Sequence, residues 1–197
     1  MPMGKHQEIA CQQVLVEDSS VFSIQWSEFP RSIAGGLTPR SLLDRYLAYI
    51  RRATLGLIRP VESPSGVAFQ LLSSRLALIC FQPVAYENDS AGGCFALLRI
   101  CGGVLVQPRQ CDRGELRFGI EAGQQGDKVS LLLSDFCPLL LGGPEPSVVR
   151  RLLYQVTQAA IHRLVTIRFL VLLHRELAGR RSTVRVVKVA VREGRPV

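Results

Sequence analysis

Lysine is scarce in this sequence: only Lys5, Lys128 and Lys188 stand among 24 basic residues, and arginine supplies the rest. Histidine is scarcer relative to its chemistry, at His6, His162 and His174. On an ideal helical wheel His162 and His174 lie about 120° apart, so they cannot form the shared face of an HExxH pair. The cysteines Cys11, Cys80, Cys94, Cys101, Cys111 and Cys137 include no CxxC pair and no Cys/His cluster at zinc spacing. They read as reduced structural thiols, with Cys80, Cys94 and Cys137 in apolar, strand-like stretches. No serine sits in GxSxG, and no P-loop or GxGxxG occurs, which removes the hydrolase elbow and the common phosphate cradles. A single tryptophan, Trp26, and scattered aromatics build no base-stacking platform. No uncharged apolar run reaches the roughly 18 residues a membrane span needs. The nearest, Leu164 to Leu173, contains Arg168, and the first twenty residues hold no signal-like apolar run. These absences predict a cytoplasmic protein with no metal, no cofactor and no complete catalytic motif. Asp112, Glu115, Glu121, Asp127 and Asp135 read as solvated edge carboxylates rather than acid/base pairs.

What is present is a chain of 197 residues, 47% apolar and 20% charged, enough for one domain with a real core. The net charge of +8 is uneven. From Arg150 onward eleven Lys/Arg face two Asp/Glu, whereas the preceding residues are close to neutral. A basic end of this kind suits nucleic acid, an anionic membrane or an acidic partner.

Residues 1–20 read as a loose lead-in or an edge segment. Val21 to Trp26 alternates, with Phe22, Ile24 and Trp26 on one face and Ser23 and Gln25 on the other. Thr38-Pro39 opens a helix, Thr as cap and Pro at the first turn, and Leu42, Leu43, Tyr46, Leu47 and Ile50 recur at helical spacing to an end by about Leu57. Residues 61–141 read as an antiparallel meander with strands at 66–72, 76–84, 93–107, 114–121 and 128–134, separated by Gly/Asn/Asp turns. Leu116, Phe118 and Ile120 define a dry face that Val129, Leu131 and Leu133 continue. A long helix is predicted from about Pro146 to Ala178, with Gly179 as its stop. The segment 180–197 is a basic tail or an added edge strand.

One wheel drawn over that helix collects Val149, Leu152, Leu153, Val156, Ala160, Leu164, Ile167 and Val171 into a stripe expected to face the sheet. Arg151, Gln155, Gln158 and His162 fall opposite, expected to face water. Arg163 and His174 fall on the apolar stripe. Val165, Phe169, Leu172 and Leu173 make the C-terminal half apolar all round, so that half is expected to need a second cover, from the tail, the lead-in, a dimer partner or a membrane.

The order strand, helix, meander, long C-terminal helix over about residues 20–178 resembles the START-like helix-grip superfamily of polyketide cyclases and lipid-transfer domains. Gly114-Glu-Leu-Arg-Phe-Gly-Ile-Glu121, the following strand and Phe136-Cys-Pro138 are similar to a family of uncharacterised domains allied to it. The resemblance implies an α+β fold in which an antiparallel curved sheet is gripped by the C-terminal helix, with a helix inserted after the first strand. It also implies a cavity between sheet and helix. On this sequence the sheet would contribute Phe69, Leu71, Phe95, Leu97, Leu116, Phe118, Ile120, Val129 and Leu131, and the helix Val156, Ala160 and Arg163. Apolar walls with one cation suit an apolar or amphipathic small molecule. The alternative is an interaction protein, a homodimer or one docking through its basic C-terminal end.

Overall fold

The computed structural model describes residues 7–72, 74–110, 112–124, 126–142, 146–178 and 184–196. Its elements are β1 (Gln7–Leu15), β2 (Val21–Phe29), α1 (Arg31–Ala34), α2 (Pro39–Ala53), β3 (Ile58–Ser63), β4 (Gly66–Leu71), β5 (Ala77–Phe81), β6 (Ala85–Asn88), β7 (Cys94–Gly102), β8 (Glu115–Ala122), β9 (Asp127–Phe136), α3 (Val148–Ala178), β10 (Val184–Lys188) and β11 (Arg195–Pro196). The fold is α+β, a curved sheet with a long C-terminal helix laid across it. The main strand order is β10-β1-β2-β9-β8-β7-β5-β4-β3, with β6 also on β7 and β11 also on β1. Every pairing is antiparallel except β1 with β10. The predicted stop at Gly179 and the predicted thiol Cys111 lie outside the described residues.

Local chemistry accounts for several elements. Thr38 caps α2: its side chain accepts from the Ser41 N–H while the Thr38 N–H donates to the Ser41 hydroxyl. The helix stops at Ala53, a turn earlier than expected, because Leu55 and Gly56 both adopt positive φ (52° and 80°). β3 carries Arg59-Pro60 and is the terminal strand of its sheet edge, where a missing N–H is tolerated.

One expectation is corrected by the sheet. Gln7–Leu15 is no lead-in. It is a nine-residue strand between β2 and β10. Its polar side chains hid it: Gln7, Gln12 and Gln13 are all buried. The buried face of β2 is Val21, Ser23, Gln25, Ser27 and Phe29, whereas Ile24 and Trp26 are half-buried on the outer face. Lys128 Nζ lies 5.4 Å from the centre of the Trp26 ring there. The residues at 184–188 form the edge strand β10, registered Gln7 opposite Val184 through Cys11 opposite Lys188.

The core lies between the inner face of the sheet, α2 and the C-terminal half of α3. Register places Phe118 beside Leu131 and Ala96, and Leu116 beside Leu98. Tyr46 of α2 stands edge-on to both Phe118 (5.1 Å between ring centres) and Phe169 (5.2 Å), and Tyr49 also meets Phe169 (5.6 Å). Those rings fill the space between α2, α3 and the inner face of the sheet. The described cysteines are free thiols, Cys11 and Cys137 buried, Cys80 and Cys94 partly buried and Cys101 exposed.

Candidate functional site

The long helix has two phases. Gln155–Ala159 is a single π-turn between two α-helical stretches, Val148–Tyr154 and Ala160–Ala178. A π-turn holds one residue more than an α-turn, and one residue is about 100° of rotation. Downstream, Thr166, Phe169, Leu170, Leu173 and His174 face inward. Upstream, Tyr154 and then Ala159 are the buried positions. The stripe expected to face the sheet is therefore turned outward: Val149 is 75% exposed, Leu152 57%, Val156 63% and Leu164 56%. Gln155, Gln158 and His162, expected in water, are partly buried. The C-terminal half, expected to need a second cover, receives it from α2 at Phe169, whereas Leu172 is exposed.

The predicted cavity lining is dispersed accordingly. Phe118 and Leu131 sit together on the inner face, and Phe69 packs on Phe81 at 5.3 Å farther along the core. Phe95 and Leu97 alternate to the outer face, where the Arg117 guanidinium carbon stands 3.5 Å above the Phe95 ring. Val156, Ala160 and Arg163 are all exposed, so none lies beneath the helix. His174 is in the core, its ring 5.5 Å from Phe29, and burial lowers its pKa.

Beneath α3 the strands β1 and β2 carry a polar layer. The Gln7 amide donates to the Ser27 hydroxyl, which donates to the Glu8 carbonyl. Gln25 donates to Ser23 Oγ (2.8 Å) and to Cys11 Sγ (3.7 Å). Gln13 Nε2 donates to the Ala159 carbonyl (3.3 Å), tying β1 to the π-turn. Within this layer Gln25 Oε1, and on the helix Gln158 Oε1 and Arg151 Nε, are buried without a hydrogen-bond partner. An unmet buried polar atom costs about 1–3 kcal/mol, so these are open valences for a polar group. Burial also pushes the His162 imidazole down to about 4, although the residue as a whole keeps some exposure.

At the edge of this layer an open cleft of about 620 Å³ runs between α3, β1 and the segment after β10. Cys11 and Gln13 are in its lining, Arg163 and Lys188 are its cations, and Val189 and Val191 supply apolar wall. Arg192 also reaches it but pairs with Asp135 at 3.5 Å and lies over Phe22. Among the described residues neither Arg163 nor Lys188 has a carboxylate within 4 Å. Both are close enough to act on Cys11. Burial raises that thiol's pKa, opposed by the Gln25 hydrogen bond and by the Arg163 and Lys188 charges. Arg163 thus belongs to a ligand-sized cleft, but outside the grip of the helix rather than beneath it. Neither the tail cations nor the β1 glutamines could have been placed together from sequence, because β1 and its parallel partner stand at opposite ends of the chain. Among the described residues no group of three or more His, Cys, Asp or Glu is arranged to hold a metal ion.

No family model and no curated protein matches this chain. One solved structure, CalU16 from Micromonospora echinospora, aligns with 89% of this chain and 98% of its own at 11% identity and a TM-score of 0.31. At that score the alignment bears on neither ligand nor activity. The fold class stands on the sheet and helix geometry itself.

Proposed function

We propose that the chain is a small-molecule-binding module and that its ligand is an anionic amphiphile held in the cleft between α3, β1 and the C-terminal segment. The observation that carries this reading is the pair Arg163 and Lys188, two cations without acidic partners facing one cleft of about 620 Å³. A carboxylate or phosphate meets their charge. Val189 and Val191 receive an apolar body, and Gln13 offers polar contacts at the floor. The amphipathic character expected from sequence is kept, and its place moves from beneath the helix to the helix's flank. The test is titration with a fluorescent long-chain fatty acid and its methyl ester. The acid should bind about tenfold tighter than the ester, and Arg163→Ala with Lys188→Ala should remove the difference. Equal affinity for acid and ester, or no binding of either, would sink the reading.

A further inference from the structure

The outward side of α3 is a second surface, independent of the cleft. Val148 (78% exposed), Val149, Leu152, Leu153 and Val156 form its upstream part, and Ile161 and Leu164 extend it beyond the π-turn. By length and composition the 31-residue helix is apolar enough to cross a membrane, which qualifies the exclusion drawn from uncharged runs alone. Only 28% of its most apolar window is buried. Its inner downstream face is nevertheless committed to the core through Phe169, Leu170 and Leu173, so the helix can lie on a bilayer without leaving the fold.

Charge selects the occupant. From Pro146 to Arg175 the sequence contains no Asp or Glu but has Arg150, Arg151, Arg163, Arg168 and Arg175. Where the apolar stripe ends, Arg168 and Arg175 of α3 and Arg52 of α2 converge on a cleft of about 670 Å³ that Leu172 also lines. The single carboxylate in that lining, Glu176, pairs with Arg45. A second copy docked on this side would bring arginine against arginine with no acid in the stripe to separate them, which is unfavourable. An anionic lipid surface reverses that sign. Its acyl region accepts the valines and leucines, and its phosphates neutralise the arginines.

We infer that α3 seats the protein on an anionic lipid surface, with the Val148–Leu164 stripe inserted at the headgroup boundary and the Arg52–Arg168–Arg175 cleft holding a lipid phosphate. The test is co-sedimentation of the full chain with vesicles of phosphatidylcholine, alone or with about 30% phosphatidylserine, as salt rises from about 0.1 M to about 0.5 M. The chain should bind the anionic vesicles and release them with salt. Leu152→Glu with Val156→Glu should weaken binding at least about tenfold. Arg168→Ala with Arg175→Ala should weaken it and flatten the salt dependence. Circular dichroism confirms that each variant is folded. Equal binding to neutral vesicles overturns the inference, as does absence of binding to both. So does a parent dimer that the Leu152→Glu/Val156→Glu variant converts to monomer without any vesicle binding.

Discussion

The two halves of α3 make opposite use of the same residue types. Downstream of the π-turn, Phe169, Leu170 and Leu173 are each about 2% exposed or less, against Tyr46, Tyr49 and the sheet. Upstream, the valines and leucines are in solvent. Apolarity on a wheel therefore identifies a stripe but does not say which side of the stripe is the protein. The phase of one half cannot be carried into the other across a one-residue insertion.

The largest expected contrast is between Phe169→Ala and Val156→Ala. The first removes a ring wedged between two tyrosines and should cost about 4 kcal/mol. The second lies in solvent and should stay within about 0.5 kcal/mol. Urea denaturation of both variants measures the difference directly, and similar losses would mean that the upstream face is covered in solution.

The buried histidines downstream of the π-turn should make the fold acid-sensitive. His162 is held neutral with its pKa lowered from 6.5 to about 4, and His174 is lowered in the same direction, both by burial. The unfolded chain protonates first, so stability is full above about 6.5 and falls as pH drops toward about 4, by about 2 kcal/mol. His162→Gln should flatten the decline. A denaturation midpoint unchanged between those pH values would show His162 to be freely solvated.

Next in size is the tie between β1 and the π-turn. Gln13→Leu removes the donor to the Ala159 carbonyl and should cost about 1–2 kcal/mol. Amide exchange should rise near Gln155–Ala159 while Phe169–Leu173 stays protected, sharpening the boundary between the halves.

The smallest effect lies away from the helix. Asp18 loses some stabilisation to burial, but the Arg113 and Ser20 hydrogen bonds outweigh this and hold its carboxyl at about 2. Its contribution is present above 3.8 and is lost as pH falls through about 2. Both side chains are about 40% exposed, so Arg113→Ala should cost under about 1 kcal/mol, read as a small shift in the acid-unfolding midpoint.

Much of the architecture could be read from the residues. The Thr38 cap, the alternation in Glu115–Glu121 and the extent of α3 were visible because each is a local pattern with one solvent-facing side. β1 was not, because its buried glutamines are satisfied by partners in β2, in α3 and near residue 192, none of them adjacent in sequence. β3 was obscured by its proline. The candidate lining failed in two ways. Phe95 and Leu97 were assigned to the wrong side of an alternating strand, and Val156, Ala160 and Arg163 were assigned to the wrong side of the helix. Arg163 alone kept a place at a cleft, and its companions there, Cys11, Gln13 and Lys188, come from the two termini.

That meeting of the termini has a consequence for biogenesis. β1 is flanked on its outer edge by β10 and β11, and the Gln12 side chain accepts from the Arg192 N–H across 180 residues of chain. A ribosome delivers β1 long before its edge partners β10 and β11. Until then β1 offers a bare hydrogen-bonding edge, and the inner sheet cannot be sealed. Closure of this edge of the sheet waits until β10 and β11 have been made.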